Sequence, residues 1–348
     1  MGLFEEAGGW PGVLSRLFSG LDLSSDLAAS VFDEILEGDA SHAQIAAFIS
    51  ALRVKGETIE EMSGFVRTML DRAEPLVVEG DLVDTCGTGG DRTGSINVST
   101  ISALIVAGAG ARVCKHGGRA ASSQTGSADV LEALGVVIDL GPDGVKRCIE
   151  EVGIGFCFAP RFHPAMRHAT PVRRELGVPT IFNFLGPLAN PARACHQVIG
   201  VSEPDMALKM LGVMASNGCK RAMVVHGSDG LDELSTTGPS RVHELMPDGS
   251  IVHGVVDAES LGFPRATLDD LRGGDAQNNA QAVRRVLGGV QGPHRDISVL
   301  NAAAGLVVGG LAVDLGSGVE LASAVLDDGR ATVVLEGLVR VSQDATRS

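Results

Sequence analysis

A chain of 348 residues, 44% hydrophobic and 20% charged, has the makeup of a globular protein of one large domain or two of ordinary size. A formal net charge of −15 and 3% aromatic residues, with no basic face or arm, exclude a nucleic-acid binder. Any anionic substrate has to be held by local cations or metal ions, against the field of the whole chain.

The cysteines at 86, 114, 148, 157, 195 and 219 are scattered and form no C-x-x-C pair, which predicts reduced thiols rather than zinc or a disulfide framework. Residues 1–6 hold neither a basic segment nor a long apolar core, so no signal peptide is expected, and Glu6 breaks the myristoylation pattern. The apolar run 101–111 is too short and glycine-rich to span a bilayer. A cytoplasmic protein without membrane contact is the expectation.

From Trp10 to about Ala73 the pattern is helical. Ser24 or Ser25 caps a helix carrying Leu27, Val31, Ile35 and Leu36; Ser41 caps a second with Ile45, Phe48, Ile49 and Leu52. Thr58 opens a third through Met62, Phe65, Val66 and Met69, and Pro75 closes the region. From Leu82 onwards short apolar strands alternate with helices. Strands are predicted at 82–85, 111–114, 136–139, 155–158, 198–201 and 222–226, with helices at 130–134, 144–152 and 205–216. Residues 241–256, around Pro247-Asp248-Gly249, read as a hairpin, and helices return after Thr267. The fold class is α/β: a small all-helical domain over 1–76, then a larger α/β domain over 77–348 with a mostly parallel central sheet. Ligands of such sheets bind at the carboxyl ends of the strands.

The stretch Asp84-Thr85-Cys86-Gly87-Thr88-Gly89-Gly90-Asp91 follows apolar Leu82-Val83 and precedes Asn97-Val98-Ser99-Thr100 and a further apolar run. Strand, glycine loop and helix start in that order suit a phosphate, because glycines expose backbone N–H groups and the helix adds its own. Neither common fingerprint fits. No lysine follows as a Walker A loop requires, and Arg92 stands where G-x-G-x-x-G needs its third glycine. The loop is a phosphate cradle of another kind or a tight turn, and its neighbours decide between them.

Those neighbours carry charge and hydroxyls. Lys115-His116-Gly117-Gly118-Arg119 follows a predicted strand, with two permanent cations around a flexible turn. Ser122-Ser123-Gln124-Thr125-Gly126-Ser127-Ala128-Asp129 is a hydroxyl-rich loop opening a helix. The sequence leaves His116 and Cys86 without an assigned role. Asp232-Glu233 stands just beyond the strand ending at His226, where paired carboxylates suit Mg²⁺. His163-Pro164-Ala165-Met166-Arg167-His168 begins a helix that puts Met166, Thr170 and Arg173 on one face and that Pro171 should kink. Such a face suits an aromatic carboxylate, or is simply a surface helix.

Together with Phe182-Asn183-Phe184-Leu185-Gly186-Pro187-Leu188-Ala189-Asn190-Pro191, these motifs in this order resemble the anthranilate phosphoribosyltransferase family over nearly the whole chain. The related pyrimidine nucleoside phosphorylases share the architecture and a similar lysine loop. The resemblance implies a Mg²⁺-dependent transferase of tryptophan biosynthesis. It would join anthranilate to phosphoribosyl pyrophosphate, giving N-(5-phosphoribosyl)anthranilate and pyrophosphate. It further implies a homodimer through the helical domain, with part of 165–195 packing on that domain. By the family pattern Gly87, Thr88, Gly89, Gly90, Asp91, Thr93, Asn97, Ser99, Thr100, Lys115 and Ser127 bind the donor. Ser99 and Glu233 share one Mg²⁺, and Asp232 with Glu233 takes a second, so two ions serve each active site. Gly87, Gly118, His163, Arg173 and Pro187 form the acceptor site, and no residue is expected to act as a strong acid or base.

One position departs: where relatives carry an asparagine that meets the acceptor, this chain has Gly118. A transferase for another aromatic amine therefore stays open, as does a pyrimidine nucleoside phosphorylase.

Overall fold

The structure is a computed structural model that describes residues 2–91, 93–120 and 124–346. Arg92, Ser122 and Ser123 therefore lie outside the described residues.

Five helices open the chain: α1 (Leu3–Glu6), α2 (Gly9–Phe18), α3 (Ser25–Glu37), α4 (His42–Lys55) and α5 (Ile59–Asp71). Their starts are fixed by the residues the sequence singles out, with Ser24 rather than Ser25 as the cap. The Ser24 hydroxyl accepts the Leu27 N–H at 3.3 Å, while Ser41 with Gln44 and Thr58 with Glu61 form reciprocal capping boxes. The apolar stripes converge on Phe32, Phe48 and Phe65, all fully buried, with ring centroids 5.1 Å apart for Phe32–Phe65 and 5.9 Å for Phe48–Phe65.

The remainder winds around a seven-stranded sheet. Its strands are β1 (Val83–Gly87), β2 (Val113–Gly117), β3 (Ile154–Phe158), β4 (His196–Gly200), β5 (Arg221–Gly227), β6 (Ser240–Leu245) and β7 (Ile251–Val256). The order is β3-β2-β1-β4-β5-β6-β7; β1 to β5 run parallel, and β6 and β7 form the predicted antiparallel hairpin. The crossovers are α6 (Val98–Gly108), then α7 (Ser127–Leu134) with α8 (Pro142–Val152). Between β3 and β4 come α9 (Ala159–Phe162), a 3₁₀ turn at Pro164–His168, α10 (Thr170–Leu176) and α11 (Phe182–Leu188). Helix α12 (Ala207–Ser216) precedes β5, and α13 (Ala276–Leu287), α14 (Pro293–Val308), α15 (Leu315–Asp327) and α16 (Arg330–Ala345) end the chain. From β1 the chain moves outward through β2 and β3, then returns to the other side of β1 as β4. That reversal opens a crevice at the carboxyl ends of β1, β2 and β4.

Alternation along the strands divides the core in two. Val83, Val198, Met223 and Val225 face α6 and α14, whereas Cys86, Ile199, Ala222 and Val224 face α12 and the N-terminal helices. Ala169, Val172, Phe182, Leu185 and Leu188 join the second core, with Phe182 5.6 Å from Phe32, so α10 and α11 bind the helical region to the sheet.

Two sequence expectations fail. Residues 136–139 form no strand: the Val136 N–H bonds Leu131 O and the Val137 N–H bonds Ser342 Oγ at 3.1 Å, so the segment packs on α16 instead of extending the sheet. The helix begun at Pro164 is broken rather than kinked. It ends as the 3₁₀ turn, and Pro171 occupies the first turn of α10, where a missing N–H costs nothing. Among the described residues no helix is long and apolar enough to cross a membrane.

Candidate active site

The glycine loop leaves β1 under the carboxylates that follow β5. A Cβ on Gly87 would lie 2.3 Å from Asp232 Oδ2, and one on Gly200 would lie 1.5 Å from Asp232 O. Only glycine at both positions lets Asp232 seat between the ends of β1 and β4. The Gly89 N–H then donates to Asp232 Oδ2 at 2.7 Å. Gly89 and Gly90 have φ of +67° and +84°, the left-handed region that turns the loop back. The Thr93 hydroxyl donates to Asp91 Oδ2 at 2.7 Å, so Thr93 orients Asp91 rather than lining the cavity itself.

The start of α6 faces the same point. The Ser99 N–H donates to Glu233 Oε1 at 3.1 Å. Lys115, 2% exposed, donates through Nζ to Thr85 O at 2.6 Å and to Ser99 Oγ at 3.2 Å, which places one cation beside the hydroxyl and the carboxylate pair. Asn97 is fixed by Thr125 O at 3.1 Å and by Asn279 Nδ2 at 2.8 Å. Ser127 Oγ approaches Gly118 O at 3.5 Å, at the head of α7. Thr100, like Thr93, does not line the cavity: it is buried, and its hydroxyl has no partner among the described residues.

These groups surround a cavity of about 320 Å³. Burial, then the charge of Asp91, pushes the Asp232 carboxyl up to about 7. Burial and the charge of Asp232 push Glu233 well above the usual range, opposed by Lys115. Half-buried carboxylates crowded in this way are short of positive charge, and with the Ser99 hydroxyl they form an all-oxygen donor set. That set fits Mg²⁺, a hard cation that takes a few carboxylates together with water and phosphate oxygens.

A second cavity of about 480 Å³, lined by Met69, His163, Met166, Thr170 and Arg173 among others, meets the first at His116, Arg173, Phe182 and Gly186. Breaking the helix at Ala169 does not separate Met166, Thr170 and Arg173; all three still face this space. The Arg173 guanidinium lies 5.2 Å from the Phe182 ring centroid, and burial alone lowers its pKa. The His163 ring is buried, its Nε2 2.9 Å from Ala189 O, and Pro187 lines the first cavity from within α11. Gly118 also lines the first cavity, and a Cβ there would meet nothing closer than Ala159 Cβ at 3.9 Å.

Arg119 does not serve the cavity as a free cation, since it pairs with Asp129 at 2.8 Å and Glu132 at 2.9 Å. Three residues without an assigned role in the sequence reading support the site. Asp84 is fully buried and accepts from Asn190 Nδ2 at 2.8 Å and from the His116 N–H at 3.3 Å, tying β1 to β2 and to the segment that follows α11. His116 Nδ1 lies 3.1 Å from Gly186 O; burial, reinforced by His163, lowers its pKa to about 3, so the ring is neutral. Strand alternation is the one signal that anticipates it, because Lys115 and His116 must face opposite sides of β2.

A family described as the glycosyl transferase family, a/b domain, matches residues 79–332, and the helical bundle domain of the same family matches residues 11–73. The chain is 50% identical over 342 residues to the anthranilate phosphoribosyltransferase of Salinispora arenicola, covering 96% of each chain. It is 49% identical over 340 residues to that of Arthrobacter sp. (strain FB24), again covering 96% of each. The anthranilate phosphoribosyltransferase structure from Thermus thermophilus matches with a TM-score of 0.89 at 42% identity, covering 95% of this chain and 99% of that one. The Saccharomyces cerevisiae enzyme in complex with PRPP and Mg matches at 0.89 and 25% identity, covering 96% and 98%. With its fold and nearly its whole length shared with these relatives, the chain belongs to the anthranilate phosphoribosyltransferase family.

Proposed function

We propose that this protein transfers the phosphoribosyl group of phosphoribosyl pyrophosphate to anthranilate, releasing pyrophosphate, as a step of tryptophan biosynthesis. One observation carries the reading. A cavity walled by phosphate-type N–H donors, Lys115 and two half-buried carboxylates opens directly onto one that holds Arg173, the half-buried arginine where the two cavities meet.

The donor lies along the first cavity, its diphosphate against the Gly87–Asp91 loop and the start of α6, with Asn97, Ser99, Lys115 and Ser127 around it. Thr93 acts through Asp91, and Thr100 does not line the cavity. Asp232, Glu233 and Ser99 would hold Mg²⁺, one ion between Ser99 and Glu233 and a second between Asp232 and Glu233. Bound there, Mg²⁺ supplies charge stabilisation to the departing pyrophosphate. The loop amides and Lys115 add fixed donors to the same oxygens. Arg173 takes the anthranilate carboxylate, and Gly87, Gly118, His163 and Pro187 shape the path of the ring. The amine then faces C1 of the ribose on the side away from the leaving group. The C1–O bond breaks, the N–C1 bond forms with inversion, and the amine releases its proton. An aromatic amine is nucleophilic enough without a strong base, so the work is alignment of two substrates.

The reading includes a helical domain over 1–76 and an α/β domain over 77–348, a homodimer through the helical domain, and a cytoplasmic location. Pyrophosphate release from phosphoribosyl pyrophosphate and anthranilate, followed with and without Mg²⁺, tests the activity. Turnover of a pyrimidine nucleoside with phosphate, or of another aromatic amine in preference to anthranilate, overturns it.

A further inference from the structure

At the other end of the sheet, away from the substrate cavities, three different metal-binding side chains meet. β1 and β4 are parallel neighbours with Val83 opposite His196, so Asp81, just before β1, lies beside Cys195, just before β4. β4 and β5 pair His196 with Arg221, which brings Lys220 to the same corner. Cys195 Sγ lies 3.2 Å from His196 Nδ1 and 3.4 Å from Asp81 Oδ1, and the three ligand atoms all fall within 4.8 Å of one another.

We propose that Asp81, Cys195 and His196 form a second metal site, for a cation of the Zn²⁺ class, separate from the Mg²⁺ carboxylates. Geometry is the first argument. Ligands around tetrahedral zinc, with Zn–S of about 2.3 Å and Zn–N of about 2.0–2.1 Å, stand roughly 3.5 Å apart. The two observed separations from the sulfur are already close to that, so a cation enters with small side-chain movements. Chemistry is the second. One thiolate, one imidazole and one carboxylate suit a borderline-soft ion, whereas the all-oxygen set at Asp232 and Glu233 suits Mg²⁺. Access is the third. Asp81 is exposed and Cys195 and His196 are half-buried, so a cation reaches the three side chains from solvent.

The corner has a built-in competitor. Lys220 Nζ lies 2.6 Å from Asp81 Oδ1, so a bound cation takes over a carboxylate that an ammonium now holds. Binding also releases the proton of the Cys195 thiol. The scattered cysteine spacing gave no hint of this site, because its ligands are brought together by strand register rather than by sequence proximity.

Co²⁺ titration of the full-length protein in saturating Mg²⁺, read by absorption, tests the proposal. One Co²⁺ per chain should bind with a thiolate charge-transfer band, and Zn²⁺ should displace it. Cys195→Ser should abolish the band, Asp81→Asn should weaken binding by more than an order of magnitude, and Lys220→Met should tighten it by removing the competitor. All three variants should keep the metal-free thermal melt of the parent, which separates loss of the site from loss of the fold. The absence of a thiolate band, its survival in Cys195→Ser, or weaker binding in Lys220→Met overturns the proposal. So does a band lost only in Asp232→Asn/Glu233→Gln.

Discussion

Gly87 and Asp232 occupy one space: a Cβ on the glycine would stand 2.3 Å from the Asp232 carboxylate oxygen and 2.9 Å from its carbon. The end of the first strand is therefore shaped by a carboxylate that arrives 145 residues later, a separation read from the two positions in the chain. Gly87→Ala should displace Asp232 without unfolding the sheet. Forcing a methyl into packed space costs about 1–3 kcal/mol of stability, and the displaced Asp232 should lower kcat/KM for phosphoribosyl pyrophosphate. A raised Mg²⁺ requirement should accompany it, and a Mg²⁺ titration identical to the parent would show that Asp232 is not a ligand.

Asp232→Asn with Glu233→Gln removes the half-buried carboxyl pair that lines the first cavity. This variant should lose most activity and all response to Mg²⁺, and stripping the parent of divalent cations should reproduce the loss. Its thermal stability without Mg²⁺ should equal or exceed the parent's, because two crowded, half-buried carboxyls no longer repel each other. Normal turnover at ordinary Mg²⁺ counts against the assignment.

In the proposed function Lys115 and Arg173 serve opposite substrates. Lys115→Ala should mainly raise KM for phosphoribosyl pyrophosphate, and Arg173→Ala should raise KM for anthranilate. Loss of one charge-assisted contact is worth about 1.5–3 kcal/mol, or roughly tenfold or more in each case. Steady-state kinetics with each substrate varied in turn separates the two, and a crossed pattern would sink the two-subsite reading.

Local signals made much of this legible. Ser41 with Gln44 and Thr58 with Glu61 write their capping boxes in four residues, and the glycine loop announces itself between an apolar strand and a helix start. What the sequence hides is set by distant partners. Val136 and Ile138 alternate like a strand, yet Ser342 of the last helix captures the backbone donor of Val137. Arg119 reads as a free cation until α7 places Asp129 and Glu132 beside it. Thr93 and Thr100 sit inside the donor motif, but neither lines the cavity: one orients Asp91 and the other is buried. Asp84 and Asn190 acquire meaning only when β1 meets the segment that follows α11.

His116 gives a pH prediction with a definite sign. Burial lowers its folded pKa to about 3 from 6.5, so between those values the unfolded chain binds the extra proton. Its contribution to stability is complete above pH 6.5 and is lost progressively as pH falls towards 3, at about 1.4 kcal/mol per unit at most. Replacing it by Gln removes that dependence. Urea unfolding at pH 7 and pH 5 should show a smaller acid-induced loss in His116→Gln than in the parent. Equal losses would mean that the folded ring titrates normally.

The resemblance implies an asparagine at Gly118, and the site shows what such a side chain would meet. The φ of Gly118 lies outside the left-handed region, and a Cβ would find only Ala159 Cβ at 3.9 Å, so the backbone and the space both accept a side chain. Its carbonyl accepts the Ala128 N–H at 3.1 Å, an interaction that substitution leaves intact. With glycine, the anthranilate contact that an amide would make falls to water, which binds nearly as well enthalpically at about 0–2 kcal/mol of ordering cost. Gly118→Asn should therefore lower KM for anthranilate by up to about 30-fold and leave KM for phosphoribosyl pyrophosphate unchanged, because Lys115 and the glycine loop are not disturbed. Weaker anthranilate binding in this variant would mean that the acceptor pocket is built around the glycine. A bulkier aromatic amine, offered to the parent enzyme in direct competition with anthranilate, should then be the preferred acceptor.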